Sequence, residues 1–324
     1  MSIRKVGVFT SGGDAPGMNA AVRSVVRSAL HFGYEVAGVM KGYAGMIAGD
    51  IIEMDARSVG NIIQRGGTIL KSARSEMFRT KEGRVKAYES LQQNNIDALV
   101  AIGGDGTFTG ASIFYEEFGF KIVGIPGTID NDLYGTDYTI GFDTAINTAV
   151  SAIDKIRDTA MAHDRLFIIE VMGRHSGLIA IQTGLGSGAG SILIPEEEAD
   201  TETMLQNLQK ALDQQKLFSI VVVAEGDNSG GATAVKEIIE KHFDQFDIKV
   251  TVLGHIQRGG NPTCNDRVLA TRLGYGAIKA LHQGKKNVMA GIVNNQTVFT
   301  SFEDAIGKEK TVDFDMCKLA TILS

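Results

Sequence analysis

The sequence predicts an α/β fold whose parallel sheets are divided between two lobes. Three observations carry this: Val- and Ile-rich runs alternate with helical stretches, many of the runs stop at glycine or a polar cluster, and the chain is long for one core. The expected strands are residues 5–10, 35–40, 98–102, 121–125, 166–171, 191–194, 219–224 and 249–253. Near-continuous apolar runs suit strands buried on both faces, and the helices between them supply the crossovers that parallel pairing needs. At 324 residues the chain exceeds the size at which a single hydrophobic core usually keeps growing, so an active site between two lobes is the expectation. The polar stretch 200–216 is expected to be a solvent-facing helix.

Composition narrows the function classes. Hydrophobic residues at 44% and charged residues at 22% fit an ordinary soluble protein. No apolar run is long enough to span a bilayer. The N-terminus enters a strand-like run without the features of a secretory signal, so the cytoplasm is the expected compartment. Cys264 and Cys317 have no Cys or His neighbours at metal-ligand spacing and read as plain thiols. A net charge of −6 argues against nucleic acid as a partner, while leaving room for a local basic pocket for a small phosphate. The excess of glycine over proline, 39 against 4, points to many tight strand-to-helix turns where main-chain N–H groups can approach phosphate.

In an open parallel sheet, ligands bind beyond the carboxyl ends of the strands, and those ends hold the chemistry. Ser11-Gly12-Gly13-Asp14 has the form of a phosphate cradle, although a tight turn with no ligand explains it almost as well. Gly103-Gly104-Asp105-Gly106-Thr107 places a carboxylate among glycines. Asp105 suits Mg²⁺, which takes oxygen ligands; a helix cap is the plainer alternative. Pro126-Gly127-Thr128-Ile129-Asp130-Asn131-Asp132 carries two acids two residues apart, which in extended backbone would point the same way. Phosphoryl transfer needs an aligned hydroxyl, a proton acceptor and cations against the phosphate charge, so Asp130 is the candidate base and Asp132 a candidate Mg²⁺ neighbour. Met172-Gly173-Arg174-His175, with Arg165 just before the same run, offers phosphate ligands. Glu225 is placed to accept from sugar hydroxyls or to cap a helix, and His255 and Arg258 in Gly254–Gly260 suit a sugar phosphate. Neither a GxxxxGK[ST] loop nor the protein-kinase motif set is present.

Together TSGGDAPGMNAA, GGDGT, PGTIDND, MGRHSG and GHIQRGG resemble, in order and spacing, the bacterial ATP-dependent 6-phosphofructokinases, over nearly the whole chain. The resemblance implies two Rossmann-like parallel-sheet sandwich domains with catalysis between them, in a homotetramer whose subunits share active sites. It puts ATP on residues 1–141 and 256–304 and fructose 6-phosphate on 142–255 and 305–324. Carried over by position, Gly12, Arg74, Gly104, Asp105, Gly106 and Thr107 would contact ATP, with Asp105 and Asp132 toward Mg²⁺. Asp130 would be the base, and Arg174 and Thr128 would orient and stabilise the transferring group. Thr128, Asp130, Met172, Gly173, Arg174, Glu225, His255 and Arg258 would hold fructose 6-phosphate, with Arg165 and Lys249 reaching it from a neighbouring subunit. Pyrophosphate-using members resemble GGDD and PKTIDND; Gly106 and Gly127 are expected to leave that space open for a nucleotide.

The chain departs from the family pattern in places. Lys249 stands where arginine is usual, which keeps charge but loses the bidentate fork and implies weaker sugar-phosphate affinity. At the allosteric site Arg23, Arg27, Arg157, Gly188 and Lys216 match. Gly190 replaces a metal-binding glutamate, and Ala56 and Gln214 replace cations. Since Gly190 offers no carboxylate to Mg²⁺, activation by ADP is expected to be weak or absent. Two other function classes fit the sequence less well. A binding regulator that has lost turnover is disfavoured by the intact Asp105, Asp130, Asp132 and Arg174, and a dinucleotide oxidoreductase lacks GxGxxG in its first turn.

Overall fold

The computed structural model describes residues 3–161, 165–197, 200–214 and 219–323. In chain order the first elements are β1 (Lys5–Thr10), α1 (Met18–His31), β2 (Glu35–Val39), α2 (Gly42–Ala48), β3 (Ile51–Met54), α3 (Glu76–Arg79), α4 (Lys81–Gln93), β4 (Ala98–Gly103), α5 (Asp105–Phe118) and β5 (Lys121–Pro126). Next come α6 (Phe142–Met161), β6 (Arg165–Val171), α7 (Leu178–Gly186), β7 (Ser191–Leu193), α8 (Asp200–Asp213), β8 (Ser219–Ala224), α9 (Ala232–Glu240) and β9 (Asp247–Val252). A 3₁₀ turn (Gly254–Arg258) leads to α10 (Cys264–His282), β10 (Val288–Val293), β11 (Gln296–Ser301), α11 (Phe302–Gly307) and α12 (Phe314–Leu323).

The chain forms two compact units. One comprises 1–129, 133–144 and 258–310; the other comprises 130–132, 145–257 and 311–324. The first is built on a seven-stranded sheet of order β11-β10-β5-β4-β1-β2-β3. Its central strands β1 and β4 are buried along their whole length, as their unbroken apolar runs require. Phe9, Phe108, Phe114 and Phe302 fill one face of this core. The second unit has a four-stranded sheet of order β7-β8-β6-β9. Leu166, Ile168, Val221 and Val223 pack there against α8 and α9 through Met204, Leu208, Val235 and Ile239.

The fold is the expected α/β arrangement, with the four-stranded sheet parallel throughout and antiparallel edge pairs added to the seven-stranded one. β3 runs antiparallel to β2, and β11 antiparallel to β10. These edge pairs went unseen because β3 is four residues with two exposed positions and β11 is only half buried, without a continuous apolar run. Asn294 and Asn295 join β10 to β11 with φ of 49° and 63°, the two left-handed positions that a tight hairpin turn demands. The polar stretch at 200–216 needs correcting. Met204 and Leu208, four apart on α8, are buried against the second core, so only the opposite face is left to solvent.

The start of α6 is fixed from another helix. Asp266, in the first turn of α10, accepts hydrogen bonds from Gly141 N and Thr144 N, both at 2.8 Å, and from the Thr144 hydroxyl. Burial pushes its carboxyl up to about 6 against the pull of these donors, and nearby Asp143 adds to the rise.

Candidate active site

In the first unit, the turns after β1, β4 and β5 lie side by side because these strands are neighbours in the order β5-β4-β1. Main-chain bonds join them: Ser11 N donates to Ile102 O at 3.0 Å and Gly127 N to Gly103 O at 2.9 Å. The approach is close enough that glycine is required at Gly103, where a Cβ would come within 2.3 Å of Thr107 Oγ1 and 2.6 Å of Ser11 O. Gly12 takes a φ of 83°, and its carbonyl accepts from the Ser72 hydroxyl. Arg258 Nη1 donates to Asp14 O at 3.3 Å, so the arginine of GHIQRGG and the SGGD turn meet.

Gly104 is the N-cap of α5 and Asp105 its first residue. The carboxylate of Asp105 is exposed and accepts from Gly106 N at 2.6 Å. An acid in the first turn is favoured by the helix dipole, and the main-chain N–H groups there suit phosphate. Arg74 is exposed in the segment before α3. Around a Cβ on Gly106 nothing lies within 4 Å, which fits the expectation of open space; on Gly127 a Cβ would meet Ile102 Cγ2 at 3.1 Å and Met18 Cε at 3.2 Å. The space beside Gly127 is therefore packed rather than open, and glycine there answers to core packing. Thr128 is buried beside Gly104, its carbonyl held by the Thr139 hydroxyl at 2.6 Å.

In the second unit, Asp130 is 1% exposed and its Oδ2 lies 3.6 Å from Arg174 Nε. The extended geometry expected for Asp130 to Asp132 does not occur. Asn131 between them has a φ of 54°, a left-handed position that asparagine tolerates, and it breaks the two-residue alternation. Asp132 is half buried. Among the described residues no group of three or more His, Cys, Asp or Glu gathers for a metal. Mg²⁺ asks for less, since it commonly takes one or two carboxylates and completes its shell with water and substrate phosphate; the oxygen-only Asp105 and Asp132 suit it.

The turn after β6 carries Met172, Gly173 and Arg174, with φ of 148° at Gly173 and 54° at Arg174. Glu225, at the end of β8, accepts from Arg174 N at 2.8 Å and Gly173 N at 3.4 Å through one carboxylate oxygen. It holds this turn rather than capping a helix. His255 is exposed in the 3₁₀ turn after β9.

Arg165 on β6 stands opposite Asp247 on β9, and Lys249 lies two residues further along β9; Arg165 Nε is 2.8 Å and Lys249 Nζ 2.7 Å from the Asp247 carboxylate. Lys249 first, then Arg165, holds that carboxyl below its ordinary range. Asp247 went unnoticed in the sequence, although its place two residues before Lys249 in a strand puts both on one face. Gln257, buried and bonded to Met172 N at 2.9 Å, was missed as well; a lone glutamine carries no sequence signal.

Of the allosteric set, Arg23 and Arg27 sit four apart on α1, and Arg27 Nη2 donates to Ala56 O at 3.4 Å. Arg157 donates to Ser187 O and, at 3.5 Å, to Gly188 O. Gly190 N is used by Ile220 O at 2.9 Å. Lys216 lies outside the described residues.

Comparison with known proteins agrees with the order of these turns. The sequence profile of the family described as Phosphofructokinase matches residues 5–281. An ATP-dependent 6-phosphofructokinase 1 of Thermus thermophilus is 55% identical over 322 residues, covering 99% of this chain and 100% of that one. An ATP-dependent 6-phosphofructokinase of Cytophaga hutchinsonii is 52% identical, covering 99% and 98%. The solved structure of phosphofructokinase from Saccharomyces cerevisiae aligns with a TM-score of 0.88 at 36% identity over 94% of this chain, which spans 45% of that longer chain. Glycine turns at three neighbouring strand ends, an acid and an arginine meeting after β6, and likeness along the full length have one explanation: the chain belongs to the phosphofructokinase family.

Proposed function

We propose that the protein is an ATP-dependent 6-phosphofructokinase of glycolysis. It transfers the γ-phosphoryl group of ATP to the 1-hydroxyl of fructose 6-phosphate, giving fructose 1,6-bisphosphate and ADP. The observation that carries this reading is the meeting of buried Asp130 with Arg174. A carboxylate beside a guanidinium sets a proton acceptor next to a cation able to meet a transferring phosphoryl.

Asp130 takes the proton of the 1-hydroxyl as its oxygen attacks, while Arg174 and Thr128 balance charge on the phosphoryl oxygens. Gly12, Arg74, Gly104, Gly106 and Thr107 bind ATP in residues 1–141 and 256–304; residues 142–255 and 305–324 hold the sugar phosphate. Asp105 and Asp132 would hold Mg²⁺, which supplies charge neutralisation at the phosphates. Met172, Gly173, Glu225, His255 and Arg258 orient fructose 6-phosphate, and Arg165 and Lys249 receive its 6-phosphate from a neighbouring subunit of a homotetramer. The enzyme works in the cytoplasm. With Gly190 at the effector position, ADP activates it weakly or not at all; strong Mg²⁺-dependent activation in an effector titration would refute that.

The deciding experiment is a phosphoryl-transfer assay on purified protein with fructose 6-phosphate and Mg²⁺, comparing ATP with pyrophosphate. Turnover with ATP alone is expected. Turnover with pyrophosphate would overturn the donor assignment, and none with either would leave a binding protein.

A further inference from the structure

The Met172–Arg174 turn is strained and needs holding. Arg174 occupies the left-handed region at a φ of 54°, a conformation that is costly for a non-glycine residue and persists only where the surroundings over-determine it. Gly173, at 148°, is a flexible link beside it. On one side of that link Glu225 grips Arg174 N at 2.8 Å. On the other side Gln257 grips Met172 N: its Oε1 accepts that N–H at 2.9 Å.

Gln257 is a poor choice for stability alone. Its side chain has no exposed surface, and Nε2 meets no acceptor among the described residues. A buried donor left unpaired keeps its full desolvation cost. Methionine would fill nearly the same space without that penalty. What it would forfeit is the grip on Met172.

We infer that Gln257 is a positioning residue for the sugar-phosphate site, acting through the Met172 peptide to keep Arg174 left-handed and aimed at Asp130. The inference rests on the proposed assignment of Met172, Arg174 and His255 to fructose 6-phosphate. With its acceptor gone, Met172 N–H is orphaned, the segment entering Gly173 loses its anchor on that side, and Arg174 relaxes away from its 3.6 Å approach to Asp130. The same bond ties the end of β6 to the 3₁₀ turn in which His255 stands two residues before Gln257, so both sugar-facing segments lose their register together. Misplacement of reacting groups by about an ångström costs up to roughly a hundredfold in rate.

The test compares wild type, Gln257→Met and Gln257→Glu as full-length proteins, with ATP, fructose 6-phosphate and Mg²⁺. For Gln257→Met, the KM for fructose 6-phosphate is expected to rise and kcat to fall, each by about tenfold or more. The KM for ATP should stay within about twofold, because the ATP-facing turns are held by other residues. The melting temperature should stay within a few degrees, because the lost bond and the removed orphan donor offset each other. Gln257→Glu keeps an acceptor at the same reach, and is expected to recover most of the sugar kinetics while losing stability through burial of a carboxyl.

Wild-type kinetics in Gln257→Met overturn the inference. So does a Gln257→Met protein that fails to fold, or one whose KM for ATP rises as far as that for the sugar, since either marks a general structural role. If wild type itself proves inactive, the functional assignment falls, and calorimetric binding of fructose 6-phosphate decides separately: about tenfold weaker binding to Gln257→Met supports the positioning role, and equal affinity overturns it.

Discussion

The two units hold their strand-end turns by different means. In the seven-stranded unit the turns after β1, β4 and β5 are joined mainly by main-chain bonds, Ser11 N to Ile102 O and Gly127 N to Gly103 O, with glycine allowing the backbones to approach. In the four-stranded unit, main-chain bonds such as Glu225 N to Val171 O at 2.9 Å are supplemented by side-chain clamps. Glu225 and Gln257 grip the Met172–Arg174 turn, Glu196 accepts from Gly177 N at 2.9 Å, and Glu170 accepts from Ala232 N at 2.9 Å. A main-chain cradle gives up its geometry only to a steric intrusion. A side-chain clamp yields to removal of one group, so the geometry of that turn is adjustable one residue at a time.

The largest effect is expected where chemistry, rather than turn geometry, is removed. Asp130→Asn should lower kcat by about 10²–10⁴-fold, the usual contribution of a general base, while ATP binding measured by calorimetry changes little. A loss of only a few fold would show that another group takes the proton.

The contrast between cradle and clamp is tested directly by Gly103→Ala against Glu225→Ala. A methyl at Gly103 would collide with Ser11 O and Thr107 Oγ1 at 2.6 and 2.3 Å. Relieving that overlap costs about 1–3 kcal/mol, so stability and ATP affinity should fall together. Glu225→Ala removes the acceptor for Arg174 N, and should raise the KM for fructose 6-phosphate by about tenfold while leaving that for ATP near wild type. Thermal melting and steady-state kinetics on both variants check the pattern. A separation of stability from affinity in Gly103→Ala, or a joint loss in Glu225→Ala, would erase the distinction.

The cradle is what the sequence displayed best. Gly12, Gly103, Gly104 and Gly106 follow buried apolar runs, and glycine after such a run announces a close turn. Asp130 and Arg174 were likewise legible through their motifs. What the sequence concealed depends on direction in space. Whether Asn131 is left-handed decides how Asp130 and Asp132 point, and no spacing rule fixes a single φ. Gly127 looked like space for a nucleotide, yet Ile102 and Met18 pack beside it. Gln257 is one glutamine in a motif whose histidine and arginine drew attention, and its importance lies in a bond to Met172, 85 residues away. The edge strands β3 and β11 were hidden because edge positions are only partly buried and do not make continuous apolar runs.

The seven-stranded unit has side-chain clamps as well, and one of them, Asp266 at the start of α6, responds to pH. Its folded value of about 6 lies above the ordinary 3.8, so the folded protein binds this proton more tightly than the unfolded chain. The contribution to stability is fully present below pH 3.8 and is lost as pH rises through 6; the shift corresponds to about 3 kcal/mol. The melting temperature of wild type minus that of Asp266→Asn should therefore shrink between about pH 4 and pH 7. A difference that grows over that interval would mean that the three donors outweigh burial and keep the carboxylate ionised.

The smallest effect is expected at Asp247, a clamp exposed to water. Its carboxylate bridges Arg165 and Lys249, the cations proposed to receive the 6-phosphate, so phosphate must share or displace it. Asp247→Asn keeps the side-chain shape and removes the competing charge. The KM for fructose 6-phosphate should fall by about two- to fivefold, in keeping with the modest strength of exposed ion pairs. The gain should diminish as ionic strength rises, because such charges are screened. A KM that rises would instead assign Asp247 to the clamps: the bridge would then be orienting the two cations for phosphate, as Glu225 and Gln257 orient the turn after β6.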